Sequence, residues 1–383
     1  MKALSAFAAT IVALASRANA KIIYAGVNES GGEFGLWSAN ATVGTGLPGT
    51  FGVDYAFINK STVDIFVKQD KINLFRVAFI MERLCPVNQT TGKGLGRKFN
   101  ETYFAYYKDA IDYVTNVKGK YAILDPHNYM RYNDPSSQPF TGSVIGDSAD
   151  PRAATTAEFQ QFFYELGLRF RHNPRVIFSS SNEPHDMATS LVLANNQAAV
   201  NGLRAAGANQ LFLLAGNAWT GGHSWTEGAD PSSAYMHKLV DPAHNWAVEV
   251  HEYLDVDYSG THAECEQPGP SNLAALTAWL KEHNLKAFVN EFGGGNNDNC
   301  RDLIGEMIDY ISANDEYIGW AAWAAGPLWG TFRSCCGDET GNYEPNTLTI
   351  NGTPGAYDTI WVPTLRPRIP KVLKSRGISS IHL

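Results

Sequence analysis

Glu183 lies in Ser181-Asn182-Glu183-Pro184 and Glu291 in Val289-Asn290-Glu291-Phe292-Gly293, each directly after an apolar, β-prone run. An ordinary glutamate is a solvated surface group. A carboxyl that closes a buried strand instead needs a specific partner to offset its desolvation. Two such groups are what hydrolysis of a glycosidic bond requires. One, protonated, gives its proton to the leaving oxygen; the other, ionised, attacks the anomeric carbon. In the retaining reaction they stand about 5 to 5.5 Å apart, a spacing that two strand ends of one small barrel supply.

Other polar residues fall at similar places. Arg76 sits inside an apolar run, His127 follows another, Asn182 precedes Glu183, His251 and Tyr253 end a sixth run, and Trp323 ends an eighth. A guanidinium beside Glu291 would favour its charged form. Pyranose faces carry C–H groups that pack on indole, so a tryptophan at a strand end suits a sugar. Trp219, Trp225 and Trp329 are candidates for extending that platform outward. His127 and His251 have no further ligand at a close metal-binding spacing and the cysteines form no CxxC pair, so no metal and no cofactor are expected.

Strands must bring these residues together. The candidates are Lys21–Val27, Ile72–Phe79, Tyr121–Pro126, Arg175–Ser180, Gln210–Ala215, Ala247–Tyr253, Lys286–Glu291 and Tyr317–Trp323. Helical patterns lie between them, at Thr102–Val117, Thr156–Arg171, Ser190–Ala206, Ser271–Asn284 and Asn299–Ala313. Alternation of this kind implies parallel βαβ units. Eight units with no Gly-rich dinucleotide fingerprint after the first strand imply an α/β fold of the (β/α)8 TIM-barrel type rather than an open sheet. In a barrel the C-terminal strand ends converge on one face, where active sites sit.

Composition narrows the partners. With 30 Lys and Arg against 38 Asp and Glu, a formal net charge of −8 lacks the electrostatic footprint of nucleic-acid binding. Hydrophobic content of 44% and aromatic content of 12% suffice for a large core. Lys2, an apolar stretch from Ala3 to about Ala15 and the pattern Ala18-Asn19-Ala20 read as a secretory signal peptide over residues 1–20. No later stretch has the length of a membrane span, so the mature chain is expected outside the cell as a soluble monomer. Six Asn-x-Ser/Thr sequons, at Asn28, Asn40, Asn59, Asn88, Asn100 and Asn351, offer glycosylation sites. Cys85, Cys265, Cys300, Cys335 and Cys336 make an odd count, and in a secreted chain most should pair. There is no repeat and no Ser/Thr/Pro-rich linker. One catalytic domain over residues 21–330 is expected, followed by an irregular extension over 331–383 packed on the barrel.

An ordered set of segments makes the reading more specific: Gly26-Val27-Asn28-Glu29-Ser30, Glu33-Phe34-Gly35, Phe75-Arg76-Val77, Asp125-Pro126-His127-Asn128-Tyr129, Asn182-Glu183-Pro184, Gly216-Asn217-Ala218-Trp219-Thr220-Gly221, His251-Glu252-Tyr253-Leu254-Asp255 and Trp323-Ala324-Ala325-Gly326-Pro327. From Lys21 to Gly330 the chain resembles glycoside hydrolase family 5, and within it the secreted fungal endo-β-1,4-glucanases. The resemblance implies a retaining endo-β-1,4-glucanase with Glu183 as acid/base and Glu291 as nucleophile, acting on a β-1,4-linked polysaccharide. It implies that Arg76 and Tyr253 hold the nucleophile, that Asn182 bonds the sugar 2-hydroxyl, that His127 and His251 line the −1 subsite, and that Trp323 is its aromatic floor. It also implies a disulfide between Cys265 and Cys300. Apart from the resemblance, Cys85 is expected to pair with Cys335 or Cys336, which leaves one thiol over.

Three features depart from the family pattern: Ala78 after Arg76-Val77, Leu328 where many relatives have a second tryptophan after Gly-Pro, and the tail after Gly330. They would alter outer subsites more than the reaction. An endo-β-mannanase or other β-glycanase of the same family is the alternative, and a non-catalytic carbohydrate-binding protein a remote one.

Overall fold

A computed structural model of the 383-residue chain describes residues 22–35, 47–88, 90–133, 142–329, 342–347, 352 and 354–382. Eight strands, β1 (Tyr24–Glu29), β2 (Leu74–Phe79), β3 (Tyr121–Pro126), β4 (Val176–Ser179), β5 (Phe212–Ala215), β6 (Trp246–His251), β7 (Ala287–Glu291) and β8 (Tyr317–Ala325), form a closed parallel barrel. Each strand pairs with its sequence neighbours, and β1 closes on β8. All eight expected strands are present, the first shifted so that Asn28 and Glu29 belong to it.

Each strand is buried on both faces because the barrel interior packs against one and the helices against the other. Tyr24, Leu74, Tyr121, Ile123, Ile177, Leu213, Ala247 and Phe288 form the apolar floor inside the barrel. The alternate residues, such as Val27, Phe75, Val77, Leu124 and Val248, join the outer core under the helices. The side-chain period of two then dictates what lies above that floor. Arg76 follows Leu74, Asp125 follows Ile123, and Glu249 follows Ala247, so each of these charges points into the barrel mouth.

The longer helices are α1 (Lys60–Ile65), α2 (Glu101–Asp112), α3 (Thr156–Phe170), α4 (Thr189–Ala205), α5 (Ala274–His283) and α6 (Asp298–Ala313), with single turns at Met81–Leu84 and Gly269–Asn272. Asn59, Asn100 and Asn297 cap three of them through side-chain oxygens, and Thr155 with Glu158 forms a capping box on α3, arrangements that satisfy otherwise orphaned first-turn N–H groups. After β5 there is no long helix, only short turns at Ala218–Thr220, Ser232–Ala234 and Met236–Lys238.

Within the stretch read as an irregular extension, Tyr357–Leu365 is helical, wound as a π-helix with Pro363 inside it. It packs against α6, and its Trp361 meets Trp320 of β8 at 6.2 Å and Phe66 at 5.0 Å between ring centroids. Farther on, the chain seals the bottom of the barrel, where the Ser379 carbonyl accepts from Leu211 N at 3.1 Å and from Asn245 Nδ2 at 2.9 Å.

Cys265 and Cys300 form a disulfide, tying the loop after β6 to α6. Cys85 is a free buried thiol, with burial pushing its pKa up to about 12. Cys335, Cys336, Asn40, Asn351 and the leader over 1–20 lie outside the described residues. Asn28 is no glycosylation site, because it is buried and its Nδ2 donates to the carbonyls of Asn290, Ala321 and Ala322.

Candidate active site

The barrel mouth collects the expected residues around one arginine. Arg76 Nη1 binds Glu291 Oε1 and donates to Asn28 Oδ1 at 2.9 Å, while Nη2 donates to Asn182 Oδ1 at 2.8 Å. Nη2 also lies 3.0 Å from Asp125 Oδ1 and 3.2 Å from Glu249 Oε1. An always-charged planar fork of donors suits such a buried cluster, and every group it touches is buried.

Glu291 reaches this arginine through a local irregularity. The β6–β7 register shifts between Val250 and His251, so that His251 pairs with Glu291 and Asn290 is the extra residue. A bulge of this kind redirects side chains. Asn290 Nδ2 donates to Glu249 at 3.0 Å while its neighbour Glu291 meets Arg76, and both thus serve one centre. The second Glu291 oxygen accepts from the Tyr253 hydroxyl at 3.1 Å. Burial first, and then the Glu291 charge, push the Tyr253 phenol well above its ordinary value, so it remains a donor.

Glu183 stands across the mouth in a left-handed backbone conformation, φ 38°, uncommon outside glycine and a mark of a functionally constrained position. Its Oε1 is 2.8 Å from His251 Nδ1. That same nitrogen lies 3.4 Å from Glu291 Oε2, and His251 Nε2 lies 3.4 Å from Glu249 Oε1. Burial works against charge on His251, yet Glu291, Glu183 and Glu249 carry its pKa up to about 10. Burial likewise works to raise Glu249, but Arg76, His251 and Ser179 hold it down at about 2. Burial pushes Glu291 above the ordinary carboxylate value; His251 and Arg76 pull it back, and Glu183 pushes it up.

Oxygens of Glu183 and Glu291 and a ring nitrogen of His251 lie within 4.8 Å of one another. Three such atoms have the reach to hold a cation, but the carboxylates that raise the His251 pKa favour a protonated ring there, and Arg76 already occupies Glu291. The chemistry of the set favours charge balance by those two cations.

His127 Nδ1 is 2.8 Å from Asp125 Oδ2, and its ring stacks on Trp323 at 5.3 Å. Burial would lower its pKa, but Asp125 raises it on balance. Asn182 Nδ2 has no hydrogen-bond partner among the described residues, which leaves a donor beside Glu183. On one rim Tyr129, His185 and Trp219 form an aromatic row, with His185 and Trp219 stacked at 4.7 Å and Trp219 48% exposed. Trp225 is not part of any platform, since it is buried against Trp279. Trp329 is 8% exposed and packs with Tyr253 and Trp323, its Nε1 donating to Ala325 O at 3.0 Å.

Asp125, Glu249 and Asn290 escaped the sequence reading as site residues. A carboxylate two residues beyond an inward-facing Ile123 or Ala247 is the signal that marks the first two.

A family description, cellulase (glycosyl hydrolase family 5), matches residues 27–327. Endoglucanase 1 of Robillarda sp. (strain Y-20) is 58% identical over 97% of this chain and 96% of its own. The solved endo-β-1,4-glucanase Xac0029 of Xanthomonas axonopodis pv. citri is 28% identical, with a TM-score of 0.76 over 92% of this chain and all of the other. XacCel5A, solved in complex with cellopentaose, is also 28% identical, with a TM-score of 0.74 over 91% of this chain and 99% of its own. Among the described residues no helix is long and apolar enough to cross a membrane.

Proposed function

The chain belongs to glycosyl hydrolase family 5, and from that premise we propose that it is a retaining endo-β-1,4-glucanase in which Glu291 is the nucleophile and Glu183 the acid/base. Glu291 attacks the anomeric carbon from the face opposite the leaving group. As the glycosidic bond breaks, Glu183 gives its proton to the departing oxygen, and a glycosyl ester forms on Glu291. Glu183, now ionised, takes a proton from water; the resulting hydroxide displaces Glu291 and restores both groups.

The observation that carries this reading is the approach of the two carboxylates, one oxygen of each lying within 4.8 Å of the other. That supports retention, since an inverting pair stands about 6.5–9.5 Å apart to admit water. Arg76 and Tyr253 bind Glu291 and favour its ionised form, while Asn182 is positioned to donate to the sugar 2-hydroxyl. His127 and Trp323 form the floor under the reacting sugar, and Trp219 offers an outer stacking face. Every group the reaction uses is supplied by this chain, and proton transfer with carboxylate attack calls on no metal or cofactor. Lys2 and the apolar stretch after it support secretion, with residues 21–330 as the catalytic part of the mature chain.

The test is to follow cellopentaose hydrolysis by proton NMR. The first-formed reducing ends are β-anomers in this reading, and α-anomers appearing first would overturn it. Reducing-sugar release from carboxymethylcellulose should exceed that from mannan, and hydrolysis of mannan alone would overturn the glucan assignment.

A further inference from the structure

At the opposite end of the barrel from the carboxylates, a cavity of about 540 Å³ opens between the starts of β2 and β3 and the C-terminal chain. Lys71, Lys120, Arg366, Lys371 and Lys374 line it, with Asp70 as the one acid. Asp70 is already engaged: Arg366 Nε binds one carboxylate oxygen and the Tyr357 hydroxyl donates to the other at 3.0 Å. The four lysines remain. None has an ion-pair partner among the described residues, in a chain whose net charge is −8.

Unpaired lysines are unremarkable when solvated, but two of these are not. Lys374 is 8% exposed, and its Nζ donates only to Ser380 Oγ at 2.9 Å and the His382 carbonyl at 2.7 Å. Lys120 is partly buried, with its pKa lowered by desolvation and then by the neighbouring Lys71. Lys71 and Lys371 are exposed, with Lys71 Nζ donating to the Lys68 carbonyl, whereas positive charge withdrawn from water at Lys120 and Lys374 is costly without a counter-charge. The walls offer Ile369, Pro370 and Leu373 and no aromatic ring, so the cavity lacks the stacking face a neutral sugar would use.

We propose that this cavity is a binding site for a compact oxyanion carrying two or more negative charges, of the phosphate or polycarboxylate class, held by Lys71, Lys120, Lys371 and Lys374. Several lysines lining one concave site can recognise such an anion through charge-assisted hydrogen bonds. A second ligand here would stabilise the barrel from the end away from the chemistry.

Isothermal titration calorimetry of the full chain with inorganic phosphate, and separately with tricarballylate, at matched ionic strength tests this. Saturable binding of at least one anion is expected, and the arm that binds identifies the class. Lys71→Glu/Lys120→Glu should weaken it by about tenfold or more while hydrolysis of carboxymethylcellulose stays at the wild-type rate. Should that variant fail to fold, Lys371→Glu, at an exposed position, should weaken binding in the same direction. Absence of binding by both anions, or unchanged affinity in a folded variant, overturns the proposal.

Discussion

Arg76 binds Glu291 through one guanidinium nitrogen and turns the other toward Asp125 and Glu249, with the Arg76, Asp125 and Glu249 side chains fully shielded from water and Glu291 nearly so. One cation thus serves three carboxylates, and His251 supplies the second positive charge. Lysine cannot reproduce the fork. Arg76→Lys should therefore lower kcat/KM on carboxymethylcellulose by about 10²-fold or more. Arg76→Ala should in addition cost about 3–5 kcal/mol of stability, read by urea denaturation. Wild-type turnover in a folded Arg76→Lys variant would remove the arginine from the mechanism.

The acid limb of activity follows from the burial of Glu291. In the proposed reaction Glu291 attacks in its ionised form, and burial puts it above the ordinary glutamate value of 4.5. Activity should fall as the pH drops, along a limb lying above that value in a plot of kcat/KM against pH, which reports the free enzyme. Arg76→Lys should move the limb upward, because the pull toward the charged form is weaker.

His251 sets a different window, for stability. Its pKa rises from 6.5 to about 10 on folding, so the folded state holds a proton that the unfolded chain releases. That stabilisation is complete below pH 6.5 and is lost as the pH climbs to 10. Denaturation midpoints measured across this window should decline, and His251→Asn should flatten the decline.

The division of labour between the two glutamates has a chemical signature. Glu291→Ala and Glu183→Ala should each lose roughly 10³-fold or more in turnover of natural substrate. With an activated β-glycoside and azide, the space left by Glu291 admits an attack on the opposite face of the sugar, giving an α-glycosyl azide. In Glu183→Ala azide takes the place of water in the second step and gives the β-azide. The reverse outcome would exchange the two roles.

Much of this centre was legible because it obeys strand geometry. Glu183, Glu291, His127, His251 and Trp323 follow apolar runs, and a barrel brings the ends of such runs to one mouth. Arg76 stood out as a charge inside one. Asp125 and Glu249 are equally buried, yet they read as ordinary acids until the inward parity of their strands is known. The bulge that aims Glu291 at Arg76 depends on the register of β6 against β7, which no single segment encodes. Trp225 and Trp219 lie six residues apart, and only tertiary packing separates the core ring from the exposed one. The missing helix after β5 is of the same kind, since short turns cover that stretch without a helical period.

The helical segment Tyr357–Leu365 was the least legible element, with Pro363 inside it and neighbouring prolines arguing for loop. Its packing indicates that it acts as part of the barrel rather than as an appendage. Trp361 is fully buried against Phe66, Trp320 and Tyr343, so cutting it back leaves a cavity in the core. Trp361→Ala should cost about 3–5 kcal/mol in urea denaturation, with KM for carboxymethylcellulose unchanged because the site lies inside the barrel mouth and Trp361 outside the wall. A loss below about 1 kcal/mol, the range of surface substitutions and small repacking, would mean that this segment merely rests on the barrel.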